Sequence, residues 1–268
     1  MTGDVRVLAS GGCHIFSGCG FPAPGLQDFN WKPFFTIGSF GFTKPMLLAI
    51  VSALVVIVFF WAAFRRPQLV PRGVQNLGEL AILAVRDQIL RPSLGRKGDS
   101  YLPFLVSMFF FIYIMNIMEL VPILQFPVTS RIGFVWPMVF TVYFLYLYLG
   151  FRHQGFAGYF KAMIPPGVPA GVYIILVPVE LLRFFVFQPF TLGVRLFGNM
   201  FAGHLLLTIF TVATWYLLSL SVGLLYAAGS FALAIFVFLL ETLVTLLQAF
   251  IFTTLTATYI ASSTEPVH

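Results

Sequence analysis

Two ionisable side chains, Arg195 and His204, lie inside a long apolar stretch of the chain. A cation at the centre of a bilayer costs about 2.5 to 3.5 kcal/mol on insertion scales and roughly 10 to 17 kcal/mol in simulations, so such groups usually face protein or water. If the stretch is helical, the neighbours within about 40° of Arg195 are small or polar: Thr191, Asn199 and Ala202. Because small residues admit a close helix, the pattern predicts that Arg195 projects into a tight helix contact. Snorkelling at a helix end is the alternative.

His204 lies about 180° from Arg195 on the same helical wheel, and a second polar pair lies downstream in another apolar stretch. Glu241 and Gln248 are seven residues apart, about 20° from alignment on one helical face. Such a polar stripe lines a water path or a proton relay more often than it faces lipid, although interhelical hydrogen bonding is the alternative. Two antiparallel helices would bring His204 against Glu241, as a proton-passing pair or a plain ion pair.

The motifs around these residues resemble one known family. Residues 195–204 read Arg-Leu-Phe-Gly-Asn-Met-Phe-Ala-Gly-His, and Glu241 begins the run Glu-Thr-Leu-Val-Thr-Leu-Leu-Gln-Ala-Phe. Together they resemble subunit a of the rotary ATP synthases, from the first apolar span to the C-terminus. The resemblance implies a non-catalytic stator subunit in which two offset half-channels, separated by Arg195, pass protons to and from carboxylates of a rotor ring.

The resemblance also implies the partners, the location and further site residues. The expected partners are the ring of small hairpin c subunits, peripheral-stalk b subunits and the lipid bilayer of the bacterial inner (plasma) membrane, with no cofactor, metal or nucleic acid. Many bacterial members carry an acid at the position of His204 and a histidine at that of Glu241, so the pair is exchanged here. The residues implied in proton translocation are Arg195, Asn199, His204, Glu241, Gln248, Asn116, Glu119 and Glu180.

Two of these assignments have qualifications. Asn116 and Glu119 match the family motif at the external end of the second span, where an acid lies at the mouth of the proton uptake path. The alternative is that Glu119 only marks the membrane interface. Glu180 would line the inner path, but the spacing from Glu180 to Pro189 is one residue longer than the family pattern.

The composition excludes a soluble protein. The 268 residues are 59% hydrophobic and 9% charged, with mean hydropathy +0.96, whereas a soluble domain has roughly 25% charged residues. Seven of the 15 Lys and Arg residues lie between residues 65 and 100. The net charge of +6 therefore reflects topology with a cytoplasmic basic segment rather than nucleic-acid binding.

The apolar runs predict an all-α polytopic membrane protein with an external segment at 1–44 and one transmembrane domain at 45–268. Hydropathy alone divides residues 170–220 into two spans, since one span needs about 20 residues. The chain would then have six membrane spans. The resemblance instead implies one long, strongly tilted helix there, kinked at Pro178 and Pro189. Five crossings then place the N-terminus outside and the C-terminus in the cytoplasm. The predicted segments are spans at 46–64, 101–124, 134–149, 170–220 and 230–261, and an interfacial amphipathic helix at 74–90 ended by Pro92.

Other functions have weaker support in the sequence. Cys13 and Cys19 are a possible disulfide on the external side, and zinc binding with His14 fits no usual ligand spacing. No GxxxxGK[ST], HExxH or GxSxG motif is present, so the chain is not expected to be an enzyme. The remaining alternative is a self-contained proton-coupled secondary transporter, against which stands the lack of a detectable inverted repeat.

Overall fold

A computed structural model describes residues 20–21, 23–25, 33, 35–37, 40–121, 124–156, 158–159, 170–218 and 223–264. Five helical runs in this part of the chain are long and apolar enough to cross a membrane, which confirms the predicted all-α polytopic class. The helices are α1 Lys44–Phe64, α2 Val74–Val85, α3 Arg91–Leu94, α4 Leu102–Ile117, α5 Ile132–Gln154, α6 Ala170–Leu182, α7 Gln188–Leu217 and α8 Gly223–Thr264.

Several helices connect without a break. Alpha2 continues through a π-helical turn, Arg86–Leu90, into α3 and then through a 3₁₀ turn, Gly95–Tyr101, into α4. Alpha6 continues through a second π-helical turn, Arg183–Phe187, into α7. Residues 170–217 are therefore one helical run, so the two-span interpretation of this stretch was wrong. The predicted amphipathic segment and second span likewise belong to one run.

Both π-helical turns precede a proline. Pro92 was predicted to end the amphipathic helix. This was wrong, because the N–H of Arg91 bonds to the carbonyl of Arg86 and the helix continues through Arg91–Leu94. In the same way, the N–H of Gln188 bonds to the carbonyl of Arg183 immediately before Pro189. A proline ring clashes with the carbonyl four residues earlier, and a π turn inserts one residue that widens the helix there.

The two longest runs exceed the thickness of a bilayer. Alpha8 has 42 residues, so its length is about 63 Å at about 1.5 Å per residue, against a hydrocarbon core about 30 Å thick. It begins seven residues before the predicted start at Ser230. The strong tilt predicted for this helix and for the run 170–217 stays a prediction, which these lengths support.

The segment predicted to be external holds a hairpin that the sequence did not predict. Beta1 Phe35–Ile37 pairs antiparallel with β2 Phe40–Phe42, with Thr36 opposite Gly41. Strands of three residues are too short to show the alternation by which strands are recognised. Cys13, His14 and Cys19 lie outside the described residues, and the division at residue 44 stays a prediction.

The core is formed by α8 packed against α4, α5 and α7. Each helix contributes fully or nearly fully buried side chains to one cluster, including Met115, Val139, Tyr146, Leu196 and Phe252. A second cluster joins the end of α2 to α4 and α8. These contacts hold the polar faces of α7 and α8 against each other in the middle of the bundle.

Candidate functional site

A partly buried imidazole and a buried carboxylate join α7 to the turn that follows α4. His204 Nδ1 lies 3.0 Å from Oε1 of Glu119, whose side chain is almost completely buried. Alpha4 ends at Ile117 rather than near Leu124 as predicted, so Glu119 lies in a turn. The ring of Phe126 meets the imidazole edge-on, with 5.8 Å between centroids. Glu119 is therefore buried inside the fold in contact with His204, and it is not an exposed residue at the membrane interface.

The turn carrying Glu119 is held by a second polar contact. The hydroxyl of Thr129 donates a hydrogen bond to Oδ1 of Asn116, and both side chains are buried. Asn116 Nδ2 and Glu119 Oε2 are buried without a hydrogen-bond partner in the described part of the chain. Since buried polar atoms are normally satisfied by protein or ordered water, these atoms mark a place for water beside the carboxylate.

Glu241 reaches the same region from α8. Its carboxylate lies directly on Gly203 of α7, so close that a Cβ atom at residue 203 would overlap it. Glu241 is buried and within electrostatic range of Glu119. The expected approach of α8 to this part of α7 is therefore present, but the hydrogen bond recorded for His204 is with Glu119. The predicted pair becomes a group of three: Glu119, His204 and Glu241.

The polar stripe of α8 faces the bundle interior. Glu241, Thr245 and Gln248 are all buried, and Glu241 Oε2 and Thr245 Oγ1 have no hydrogen-bond partner among the described residues. Leu243 and Leu246, between them in sequence, are exposed. The stripe thus faces the interior of the fold, with two unsatisfied oxygens, and the leucines between its residues face outwards.

Arg195 lies on the opposite side of α7, on the outside of the chain. Arg195 and Asn199 are exposed, whereas the adjacent Leu196 and Met200 are buried. A Cβ atom added at Gly198, on the same side, would meet nothing within 4 Å. The tight helix contact predicted for Arg195 is therefore not made by any of the described residues, and the face that carries Arg195, Gly198 and Asn199 is open.

Arg195 forms no salt bridge with any carboxylate of the described residues. It lies within electrostatic range of Tyr259 on α8, as does Arg183. Its guanidinium is thus a cation on the membrane-spanning part of the fold without an acidic partner in the part of the chain that the structure describes.

Glu180 lies apart from the buried group of three. Its Oε2 is 2.7 Å from Nε of Arg183, and the Arg183 side chain is 59% exposed. In a regular α-helix, Arg183 would be rotated about 120° from Arg195, but a π turn that absorbs one residue reduces this to about 20°. The π-helical turn at 183–187 therefore turns the Glu180–Arg183 pair towards the face of Arg195.

The sequence matches a known protein family over most of its length. The sequence profile described as "ATP synthase A chain" matches residues 46–261. The chain belongs to the ATP synthase A chain family.

Curated relatives of this family cover nearly the whole chain. It is 42% identical over 262 residues to ATP synthase subunit a of Streptomyces lividans, which covers 96% of this chain and 92% of that protein. It is 38% identical to ATP synthase subunit a of Frankia alni, over 91% of this chain and 86% of that protein, and 38% identical to that of Rhodococcus erythropolis, over 90% and 89%. The family and the apolar helices make the chain a multi-pass protein of the bacterial plasma membrane, associated with proton transport in ATP synthesis.

Sequence reasoning missed two residues of the site. Gly203 leaves the space that the Glu241 carboxylate occupies, and Thr129 bonds to Asn116. Thr245, which the helical wheel placed on the face of Glu241, is buried there as predicted. A glycine next to a titratable residue in an apolar helix is a recognisable signal, since small residues allow close approach. Thr129 had no signal, because it lies 13 residues from its partner in an irregular segment.

Proposed function

We propose that the chain is the non-catalytic, proton-conducting stator subunit of an ATP synthase. One observation carries the proposal. Alpha7 bears a partly buried imidazole on one side, His204 beside the buried Glu119, and an outward-facing cation, Arg195, on the other. Protons delivered along the first side reach carboxylates of a rotor ring of c subunits passing the second, and the ring couples their flow to ATP synthesis.

The uptake path starts at Glu119. Its proton passes to and from the Nδ1 atom of His204 across 3.0 Å, because an imidazole nitrogen can both accept and donate a proton. Glu241, packed on Gly203, receives the next transfer through water bound at the unpartnered oxygens. Asn116 orients this end of the path, and Gln248 continues it along α8.

Arg195 divides this path from the exit path. A cation facing hydrocarbon is costly, so its exposed face must be covered in the membrane by another subunit. The exposed Asn199 and the open space at Gly198 leave room for a closely packed helix. When a rotor carboxylate arrives there, the neighbouring guanidinium favours its ionised form, which forces proton release and blocks a direct leak.

The exit path begins at Glu180. The ion pair of Glu180 with Arg183 is turned by the π-helical turn towards the side of Arg195, where a released proton can leave. Each charge crossing the membrane yields about 2.3 kcal/mol per 100 mV. The N-terminus is outside and the C-terminus in the cytoplasm in this arrangement, with peripheral-stalk b subunits holding the chain against the turning ring.

Glu119→Gln tests the uptake path. The amide keeps the size of the side chain but cannot ionise, so we expect proton-driven ATP synthesis by vesicles containing the assembled complex to fall about tenfold or more. Glu119→Asp should retain a larger share of the activity. Asp99→Asn is the control, because Asp99 is exposed in its ion pair with Arg86, and surface ion pairs contribute little to stability. Normal synthesis in Glu119→Gln, or proton transport by the purified chain alone in liposomes, would overturn the proposal.

Deleting one residue of the π-helical turn tests the exit path. Removal of Val186 should convert the π turn into an α turn and leave Glu180 at the same angle around the helix from Arg195. We therefore expect the rate of ATP synthesis to stay within about twofold of that of the unmodified complex. Removal of Val194, in the α-helical part of the same run, should rotate Glu180 by about 100° relative to Arg195 and abolish synthesis. Equal loss in both variants would show that the turn does not absorb the extra residue.

A further inference from the structure

The C-terminal end of α1 borders a cavity that the proposed proton path does not use. It has a volume of about 490 Å³ and lies between the end of α1, the loop at 65–73 and the start of α2. Three guanidinium groups line it, those of Arg65, Arg66 and Arg72, together with Gln68 and Gln75. We propose that this cavity binds the phosphate group of an anionic phospholipid.

The charge of the cavity is uncompensated. None of the three arginines forms a salt bridge with a carboxylate in the described ranges of the chain. The carboxylate nearest along α2, that of Glu79, accepts a hydrogen bond from Gln75 Nε2 at 2.8 Å. Like charges held around one concavity repel each other, and an anion with several acceptor oxygens relieves this, since guanidinium forks match phosphate geometry.

The cavity wall is fixed by hydrogen bonds rather than formed by loose side chains. Gln75 is buried and its amide bonds the backbone of Gln68 in both directions: Gln68 N–H donates to Oε1 at 3.0 Å, and Nε2 donates to the Gln68 carbonyl at 2.9 Å. Close packing of Gly78 on Ala63 holds α2 against α1 below it. The loop that carries the arginines therefore has a defined position before any ligand binds.

Apolar side chains around the cavity favour a lipid over a free phosphate ion. The guanidinium of Arg65 lies 4.9 Å from the centre of the Trp61 ring, and Trp61 is 59% exposed. Leu69 and Val70, on the loop, are exposed. Tryptophan is enriched at the membrane interface, and clustered basic residues next to a transmembrane helix attract anionic lipids. A phospholipid whose phosphate group lies in the cavity would thus place its acyl chains against Trp61 and α1.

Native mass spectrometry of the purified full-length chain in neutral detergent tests this site. The probes are dioleoylphosphatidylglycerol, dioleoylphosphatidylcholine and sodium phosphate. We expect one phosphatidylglycerol to bind about tenfold more tightly than phosphatidylcholine, and Arg65→Gln/Arg66→Gln/Arg72→Gln to weaken it about tenfold. Replacement of the same three arginines by lysine should weaken phosphatidylglycerol binding about threefold, because lysine keeps the charge but lacks the planar, two-pronged guanidinium.

The control removes the same charge elsewhere. Arg96→Gln/Lys97→Gln/Arg152→Gln replaces three exposed cations and should leave binding within about twofold. Equal loss in this control would show general surface attraction and overturn the site. Displacement of the lipid by sodium phosphate at equal concentration would show an anion site without lipid specificity. Retention of a protein subunit instead of lipid on this face in the intact complex would identify a protein partner. Either result overturns the proposal. None of these readouts depends on proton transport.

Discussion

Arg195→Lys is expected to abolish proton-driven ATP synthesis in the assembled complex. Lysine keeps the positive charge but replaces a planar fork of five donors by a compact, strongly hydrated ammonium group. On the open face of α7, where Asn199 and Arg195 are exposed side by side, the two-pronged contact with a passing carboxylate would be lost. The measurement is ATP synthesis by membrane vesicles after an imposed proton gradient.

The control for this substitution is Arg152→Lys. Arg152 is an exposed arginine at the end of α5, away from the face of Arg195, and its replacement should leave synthesis unchanged. Assembly of both variants is checked by the amount of complex recovered from the membrane. Normal synthesis by fully assembled Arg195→Lys complex would refute the role assigned to the guanidinium.

Gly203→Ala is expected to lower synthesis about tenfold or more, since misplacement by about 1 Å in a positioned site can cost about 100-fold. The added methyl group would overlap the carboxylate of Glu241 and push it away from its position beside α7. The same assay checks the result, with proton pumping driven by ATP as a second readout.

A second substitution distinguishes a local clash from misfolding. Glu241→Asp shortens the side chain by one methylene, so Gly203→Ala/Glu241→Asp should recover part of the lost activity. Gly229→Ala in α8 is the matched control, because a Cβ atom there would meet nothing within 4 Å. If the double variant is no better than Gly203→Ala alone, the carboxylate is not what residue 203 accommodates.

The helices could be predicted from the sequence where the length of an apolar run sets their ends. They could not be predicted where backbone hydrogen bonds decide whether a helix continues. Alpha1 matched its predicted span closely, because an apolar run ends at Arg65, Arg66 and Pro67. Pro92 misled the prediction, since a π turn lets the helix pass a proline. Hydropathy could not show whether residues 170–217 cross once or twice; the helix bonds show that they form one run.

The site could be predicted in its residue types but not in its pairing. The wheel positions of Arg195 and His204 on opposite sides of α7 were confirmed by an exposed guanidinium and a partly buried imidazole. The partner of His204 lies 85 residues away in the chain, in a turn whose path no periodicity determines. The position of Glu241 depends on the absence of one methyl group at Gly203, which only the packed helices reveal.

Disulfide cross-linking in the intact complex most directly tests whether the face of Arg195 meets the rotor. A cysteine replaces Asn199, which is exposed one helical turn from Arg195, and another is placed next to the membrane carboxylate of the c subunit. Phe144→Cys, at an exposed position of α5, is the control. We predict a rapid cross-link from residue 199 and none from residue 144. No cross-link from residue 199, or equal yields from both, would contradict a rotor carboxylate passing Arg195.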